Sequence, residues 1–114
     1  MNLSKKNKKK GDLVAIAELS IIPIGTRSTS LSGYIAACLK VLEDSGLNYE
    51  VHGMGTIIEG ALTDIFHVIL KMHEVPFEAG ALRVVTSIKI DDRRDKETSA
   101  RNKVKAVLTQ KSQT

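Results

Sequence analysis

The segment Leu13–Ile24 places apolar residues on both faces of an extended strand. Its two alternating sets are Leu13, Ala15, Ala17, Leu19 and Ile21, and Val14, Ile16, Glu18, Ser20, Ile22 and Ile24. An antiparallel strand with one wet face alternates apolar with polar residues, so this strand needs a cover on both faces. Pro23 and Gly25 are expected to end it. Any fold of the chain must therefore surround this strand.

The remaining elements are predicted from periodicity and from turn residues. They are a helix capped by Ser30 that runs to about Ser45, strands over Asn48–Gly53 and Gly55–Glu59, a helix that opens at Thr63 with Asp64 and stops at Gly80, a strand over Arg83–Ile90, and a helix from about Glu97 to Leu108. Gly46 is expected at the C′ position of the first helix, where a left-handed backbone favours glycine.

Apolar residues at helical spacing predict the buried side of each helix. They are Leu31, Tyr34, Ile35, Cys38 and Leu42 in the first helix, Ile65, Phe66, Ile69, Met72 and His73 in the second, and Val104, Val107 and Leu108 in the last. Pro76 cannot donate a hydrogen bond to the Met72 carbonyl. We therefore expect a kink or a break in the second helix.

The predicted order of elements is strand, helix, strand, strand, helix, strand, helix. The first six form the split βαβ arrangement (βαββαβ) of ferredoxin-like domains, an α+β fold with a four-stranded antiparallel sheet. The last helix is an addition at the C-terminal side. The first two helices would cover one sheet face, which leaves the other face of Leu13–Ile24 for a partner chain. We therefore predict a homo-oligomer built by packing sheet faces together.

The positive charge of the chain is concentrated in its first residues. The sequence has 17 Lys and Arg against 13 Asp and Glu, a net charge of +4. Five of the basic residues are lysines within residues 1–10, which leaves 12 basic and 13 acidic residues in positions 11–114. We predict a basic, disordered tail over residues 1–11 and one domain over residues 12–114. Nucleic-acid binding through the tail is kept as an alternative function.

No segment predicts export or insertion into a membrane. Glu18 interrupts the apolar stretch that follows the lysines, and no convincing cleavage site comes after it. The stretch is also too short to span a bilayer. Cys38 is the single cysteine, so an intrachain disulfide is impossible. These features predict a cytoplasmic protein.

Three segments carry residues that suit a small polar ligand. Residues 23–30 form a hydroxyl-rich connection before a helix start, where free N–H groups can hold polar groups or can serve only as turn and cap. The segment Gly53–Thr56 allows close approach of a flat ligand to the backbone, or serves only a hairpin. Glu59, if buried, would suit a cationic ligand.

The sequence shows no constellation typical of an enzyme. No serine lies in a GxSxG motif, and Cys38 is expected to be a small buried hydrophobe, so no activated nucleophile is predicted. The three histidines, His52, His67 and His73, have none of the spacings typical of zinc sites. His73 is expected at the edge of the core with a satisfied hydrogen bond. We therefore favour a binding protein over an enzyme.

Taken in order, these motifs resemble those of the small thiamine-binding protein family. The resemblance runs from about Leu13 to Leu108. It rests on residues 20–26, residues 28–32 with Tyr34, Tyr49, residues 54–56, Glu59 with Gly60, His73 with Glu74, Gly80, Arg83 with Val84, and the Ile-Asp-Asp-Arg-Arg-Asp segment of residues 90–95. The lysine-rich tail and Pro76 depart from the family pattern.

The resemblance implies a function and a set of ligand-binding residues. It implies non-catalytic binding of thiamine or its hydroxymethylpyrimidine part, as a carrier, buffer or sensor, without a cofactor or metal. It also implies dimers joined through their sheets, and we expect tetramers. The implied ligand-binding residues are Ser20, Pro23, Gly25, Thr26, Ser28, Ser30, Tyr34, Met54, Gly55, Thr56, Glu59 and His73. The alternative is an enzyme that acts on a pyrimidine or thiamine-related compound, with Glu59 and His73 as acid and base.

Overall fold

The computed structural model describes residues 14–25, 32–95 and 100–113. Its elements are β1 (Ala15–Ile24), α1 (Ser32–Ser45), β2 (Asn48–His52), β3 (Gly55–Gly60), α2 (Leu62–Glu78), β4 (Arg83–Asp92) and α3 (Ala100–Gln113). The four strands form an antiparallel sheet in the order β2-β3-β1-β4, so β1 lies between β3 and β4. This arrangement confirms the predicted α+β, ferredoxin-like fold with its additional last helix.

Helices α1 and α2 cover one face of the sheet, which we call the helix face. Ala15, Ala17 and Leu19 point to this face from β1, and each is at most 2% exposed. Ile58 of β3 lies opposite Ala17 and is fully buried. The helices complete the core with Cys38 and Leu42 from α1 and with Ile65, Val68, Ile69 and Met72 from α2. The core is aliphatic, as expected of a chain with 4% aromatic residues.

Helix α1 ends at the residue that the sequence predicts. Gly46 follows the helix with φ of +77°, a left-handed conformation that favours glycine. The predicted buried side is confirmed at Cys38 and Leu42. It is wrong at Ile35, which is 51% exposed, because residues 33–37 are all exposed or half-buried and only the later turns reach the core. The predicted Ser30 cap and Leu31 lie outside the described residues.

Helix α2 runs through Pro76 as one element, so the predicted break is wrong. Pro76 lies in the last turn, where the lost bond to Met72 falls close to the natural end of the helix. The end itself is a Schellman motif, in which the Gly80 N–H donates to the Phe77 carbonyl at 3.0 Å and the Ala81 N–H to the Pro76 carbonyl at 2.9 Å. Gly80 has φ of +103° and stops the helix as predicted.

The buried side of α2 is narrower than the sequence predicts. Its buried residues are Ile65, Val68, Ile69, Met72 and Pro76. Phe66 was expected among them but is 41% exposed, because it is rotated by about 100° from Ile65 around the helix. His73 lies at the border of the same side and is half-buried.

Strand β4 is two residues longer than the sequence predicts. Asp91 and Asp92 continue the pairing with Ile16 and Ala15 of β1, so they belong to the sheet and not to a charged connection. Pairing with a neighbouring strand has overridden the low strand propensity of aspartate.

Helix α3 lies on the second face of the sheet and exposes its apolar residues. It extends to Gln113 instead of Leu108, and its predicted start at Glu97 lies outside the described residues. Arg101 pairs with Glu50 of β2, and Lys103 pairs with Asp91 of β4. The predicted apolar side of α3 consists of Val104, Val107 and Leu108, which are 55–67% exposed.

We call this second face the open face. It carries Ile16, Glu18, Ser20, Ile22 and Ile24 from β1, Asn48, Glu50 and His52 from β2, Gly55, Ile57 and Glu59 from β3, and Arg83, Val85, Ser87, Lys89 and Asp91 from β4. Ile22, Ile24 and Val85 are between 37% and 48% exposed, whereas Ile16 is buried. In the described part of the chain, no helix is long and apolar enough to cross a membrane.

Candidate functional site

The hydroxyl-rich connection after β1 is only partly described. Thr26, Ser28 and Ser30 lie outside the described residues, so their role stays a prediction. Gly25 precedes them and has φ of +74°. This left-handed backbone conformation is sufficient to account for a glycine at this position, with no need for a contact to a ligand. Pro23 is buried on the helix face opposite Val84 of β4. Beyond Leu19, β1 pairs only with β4, and proline is tolerated at such an edge position.

Close packing of β3 against β1 explains a second glycine, Gly55, at the start of β3. A Cβ atom on Gly55 would lie 2.9 Å from the Leu19 carbonyl oxygen, so β3 approaches β1 too closely for a larger residue. Thr56 faces the helices opposite Leu19. Met54 is at the tip of the hairpin and is 93% exposed. These three predicted residues therefore point in different directions.

Glu59 lines a polar cleft on the open face. The cleft has a volume of about 320 Å³ and is lined by Asn48, Tyr49, Glu50, Ile57, Glu59 and Arg101. Glu59 is half-buried between Asn48 of β2 and Ile16 of β1, its partners in the sheet. Among the predicted ligand residues that the structure describes, Glu59 alone lines this cleft. Its half-buried carboxylate suits a cation.

Two carboxylates and one guanidinium set the charge of this cleft. The Arg101 Nε lies 3.3 Å from Oε1 of Glu50, and the two side chains are 87% and 45% exposed. His52 is a second neighbour of Glu50, with 3.6 Å between its Nε2 and the Glu50 Oε2. An ion pair this exposed is weak, so a cationic ligand can compete with Arg101 for Glu50.

Three polar residues that line the cleft were not singled out from the sequence. Asn48 and Glu50 alternate along β2, and this spacing alone could have placed them on one face. Arg101 had no such signal, because it is 51 positions from Glu50 in the chain.

His73 lies on the helix side of the sheet and has a structural role. Its Nδ1 is 2.7 Å from the Thr86 hydroxyl of β4, and its ring contacts Phe77 edge-on with 5.5 Å between ring centres. The prediction of a core-edge histidine with a satisfied hydrogen bond is confirmed. Because Glu59 is on the opposite face of the sheet, the two side chains share no pocket. The predicted acid–base pair is therefore wrong.

Ser20 and Tyr34, the remaining predicted residues that the structure describes, do not lie near Glu59. Ser20 is on the open face, but it pairs with Ser87, whereas Glu59 pairs with Ile16. The separation of four positions from Ile16 to Ser20 corresponds to about 13 Å along the strand. Tyr34 is half-buried in the first turn of α1. The predicted set therefore divides between the Glu59 cleft and the opposite end of β1.

A second cleft lies between α1 and α2, away from the predicted residues. Its volume is about 340 Å³, and it is lined by Val41, Asp44, Ser45, Leu47, Asp64, His67, Val68 and Lys71. None of the residues that line it was predicted to bind a ligand.

The charged segment after β4 pairs its charges internally. Arg93 makes a bidentate contact with Asp95, with distances of 2.5 and 2.9 Å, and the Arg94 Nη2 lies 2.9 Å from Asp92. These hydrogen bonds with the aspartates raise the pKa of both arginines. The charges of this segment are therefore paired with each other at the surface, and the Arg93 guanidinium is already engaged by Asp95.

Cys38 is a small buried residue, as predicted. Its Sγ lies 3.6 Å from the Met72 carbonyl, and burial raises the pKa of its thiol. Among the described residues, no group of three or more His, Cys, Asp or Glu side chains could hold a metal ion.

Comparison with known proteins places this chain in a family. Residues 17–108 match the family described as thiamine-binding protein, which covers most of the chain. The chain belongs to the thiamine-binding protein family. The match includes all four strands and both helices of the helix face, and it confirms the predicted family.

Relatives in this family occur in bacteria, archaea and yeast. The UPF0045 protein YqgV of Bacillus subtilis is 47% identical over 98 residues, which cover 82% of this chain and 94% of that protein. A UPF0045 protein of Methanothermobacter thermautotrophicus is 46% identical, covering 80% and 93% of the two chains. The UPF0045 protein ECM15 of Eremothecium gossypii is 33% identical, covering 83% and 90%.

Solved structures of similar chains have the same fold. The crystal structure of the hypothetical protein MJ1052 from Methanocaldococcus jannaschii has a TM-score of 0.74 and 37% identity, covering 82% of this chain and 95% of that one. A Thermotoga maritima protein, provisionally assigned to thiamine biosynthesis or salvage, has a TM-score of 0.69. Its identity is 20%, with 82% and 98% of the chains covered, so this likeness shows the fold alone.

Proposed function

We propose that this protein binds thiamine, or its hydroxymethylpyrimidine part, without chemical conversion. The observation that carries the proposal is the acidic cleft around Glu59 on a chain that belongs to the thiamine-binding protein family. The proposed role is that of a cytoplasmic carrier, buffer or sensor of the vitamin.

The side chains of the cleft match the chemistry of thiamine. Thiamine joins an aminopyrimidine ring to a positively charged thiazolium ring. The carboxylates of Glu50 and Glu59 can offset the thiazolium charge or accept a hydrogen bond from the pyrimidine amino group. The Asn48 amide can donate to a ring nitrogen and accept from the amino group. The walls thus offer both the charge and the hydrogen-bonding groups that this ligand needs.

The hydroxyl-rich end of β1 is the other proposed ligand region. Ser20, Thr26, Ser28 and Ser30 would supply hydroxyl groups, and Tyr34 or Met54 could pack against a ring. Because Ser20 is about 13 Å along β1 from Ile16, the strand partner of Glu59, we treat the two as separate candidate regions. We assign the primary site to Glu59, since the cleft there is already formed.

We also propose that two copies pack their open faces together. Ile22, Ile24 and Val85 are partly exposed on this face, and each would be covered by a second copy. Burial of exposed apolar surface is the usual driving force for such dimers. The proposed partner is therefore another copy of this chain, and a tetramer would need one further interface.

Titration calorimetry with thiamine and with hydroxymethylpyrimidine tests the proposed function. We expect Glu59→Gln to weaken binding by at least about tenfold, since a hydrogen bond to a charged group contributes about 1.5–3 kcal/mol. Glu43→Gln is the matched control, because Glu43 is an exposed carboxylate on α1 outside the cleft. The proposal fails if the folded wild-type protein gives no heat with either compound.

Two variants separate the two ligand regions. If Ser28→Ala weakens binding and Glu59→Gln does not, the ligand binds at the hydroxyl-rich end and the assignment to Glu59 is wrong.

The nucleic-acid alternative depends on residues 1–10, which lie outside the described residues. It predicts salt-dependent affinity that deletion of these residues abolishes.

A further inference from the structure

The cleft between α1 and α2 lies on the helix face, on the opposite side of the sheet from Glu59. Because β1 and β3 run in opposite directions, the helices that follow them are also antiparallel. The end of α1 therefore lies beside the start of α2. The cleft, of about 340 Å³, includes this junction and two turns of α2, from Asp64 to Lys71. We call it the α1–α2 cleft.

One end of the α1–α2 cleft is acidic. Asp44 in the last turn of α1 and Asp64 in the first turn of α2 both line it. The last turn of α1, which the structure describes in full, carries no basic residue, although the free carbonyl groups of a helix C-terminus favour a cation. Lys40 lies 3.9 Å from Asp44, but these side chains are 77% and 68% exposed, so the pair is weak and a ligand cation can replace Lys40. This end suits an ammonium group.

The other end of the α1–α2 cleft is basic. His67 and Lys71 lie on the same side of α2 as Asp64, because these positions are separated by three and four residues. Lys71 is seven positions from Asp64, which corresponds to about 10 Å along the helix axis. Its exposed ammonium group can bind a carboxylate. The cleft thus has charges of opposite sign at its two ends.

The wall between the charged ends is aliphatic and held in place. Val68 is 3% exposed, and Val41 and Leu47 are half-buried. The Ser45 hydroxyl donates to a carbonyl of the preceding helical turn at 2.5 Å and accepts from the Leu47 N–H at 3.2 Å. Leu47 also packs against Gly60, where a Cβ atom would lie 2.8 Å from the Leu47 Cδ2. This wall is therefore formed in advance, as the walls of small-molecule sites usually are.

From this arrangement we infer that the α1–α2 cleft binds a short peptide with free termini and small aliphatic side chains. The ammonium group of the peptide would lie at Asp44 and Asp64, its carboxylate would lie at Lys71, and its side chains would pack on the aliphatic wall. An extended dipeptide is about 7 Å long. The remaining distance of about 3 Å between the two ends of the cleft is the length of a charge-assisted hydrogen bond.

The inference is independent of the proposed function. Glu59 lines a separate cleft on the open face, and thiamine does not provide the ligand chemistry needed here. Thiamine carries a cation but no carboxylate, so it would leave Lys71 without a counterion. A short peptide provides both charges and an apolar portion between them.

Titration calorimetry of the full chain with the dipeptide alanyl-leucine tests the site. We expect saturable binding, and we expect it to weaken at least about tenfold when the termini of the dipeptide are blocked by acetyl and amide groups, because both charged contacts are then lost. An absence of saturable binding by the folded protein would overturn the inference. Equal affinities for the free and the blocked dipeptide would overturn it too.

Two substitutions locate the bound dipeptide. Lys71→Gln should weaken binding at least about fivefold, since it removes the cation that faces the carboxylate. Lys105→Gln is the matched control, because Lys105 is an exposed helical lysine on α3 that does not line the cleft. Wild-type affinity of the Lys71 variant would contradict the inference.

Glu59→Gln separates this site from the cleft on the open face. The affinity for the dipeptide should be the same in this variant as in the wild type, because the substitution lies on the other side of the sheet. Weaker dipeptide binding would place the peptide in the Glu59 cleft and would overturn the inference. A failure of thiamine binding, by contrast, would affect only the proposed function.

Discussion

The two faces of β1 are both largely apolar but have different environments. Ala17 and Leu19 point to the helix face and are at most 2% exposed, whereas Ile22 and Ile24 on the open face are 48% and 37% exposed. The open face also carries Glu18 and Ser20, but its isoleucines make it largely apolar. The difference arises because α1 and α2 both pack on one face, and only the exposed helix α3 approaches the other.

The directions of the strands and of their connections explain why both helices lie on the same face of the sheet. The connection from β1 to β2 crosses the sheet one way, and the connection from β3 to β4 crosses it the other way. Since β1 and β3 also run in opposite directions, two right-handed crossovers place their helices on one side. The open face therefore keeps the cleft around Glu59 and the partly exposed Ile22, Ile24 and Val85.

Substitutions on the two faces should differ most in their effect on the free energy of unfolding. Ile58→Ala on the helix face should lower the free energy of unfolding by about 2–5 kcal/mol, because it leaves a cavity in the core. Ile22→Ala on the open face should cost less than about 1 kcal/mol in dilute protein, because its side chain is already half exposed. Urea unfolding followed by circular dichroism measures both.

A second test measures how the stability cost of each of these two substitutions depends on protein concentration. If open faces pack together, the cost of Ile22→Ala should rise with protein concentration, while that of Ile58→Ala should change little. Equal costs in dilute protein would contradict the difference between the faces.

The next expected difference is in the reactivity of thiols. Cys38 is buried and its thiol pKa is raised by burial, so it should react slowly with a disulfide reagent and faster as the pH rises. A thiol introduced by Glu18→Cys, in a Cys38→Ser background, would lie on the open face and should react at least about a hundredfold faster. Similar rates in dilute folded protein would show that the two faces are equally accessible.

The smallest expected effect concerns Arg101 at the cleft. Arg101→Gln removes the cation that pairs with Glu50, so thiamine should bind more tightly, by no more than about fivefold, because the pair is exposed. Lys105→Gln is the matched control, since Lys105 is an exposed cation on α3 that does not line the cleft. Weaker binding by the Arg101 variant in calorimetry would show that Arg101 contacts the ligand and does not compete with it.

Most of the fold could be predicted because the signals are local. Gly46 and Gly80 end their helices where the sequence indicates. The alternation along β1 also assigns its residues to the correct faces of the sheet. The errors have tertiary causes. Pairing with β1 extends β4 through Asp92, and Phe66 and Ile35 are exposed because neither lies where the two helices meet the core.

The candidate site was less predictable than the fold. Glu59 was found from the sequence, but His73 was assigned to the same chemistry and is on the other side of the sheet. A short motif shows which residues are neighbours in the chain, and it does not show which face of a sheet each one occupies. Arg101 reaches the cleft from a helix far along the chain, so no local pattern indicates it.

The sequence by itself determined the kinds of elements, their order, the family, and a central strand that needs a cover on both faces. These properties depend on residues within a few positions of each other, where periodicity and turn chemistry act. The tertiary structure decided which face of β1 the helices cover, and it formed the cleft around Glu59. It also left the edge of β4 without a strand among the described residues. These outcomes depend on how distant segments cross and pair, and local residue preferences do not encode such long-range geometry.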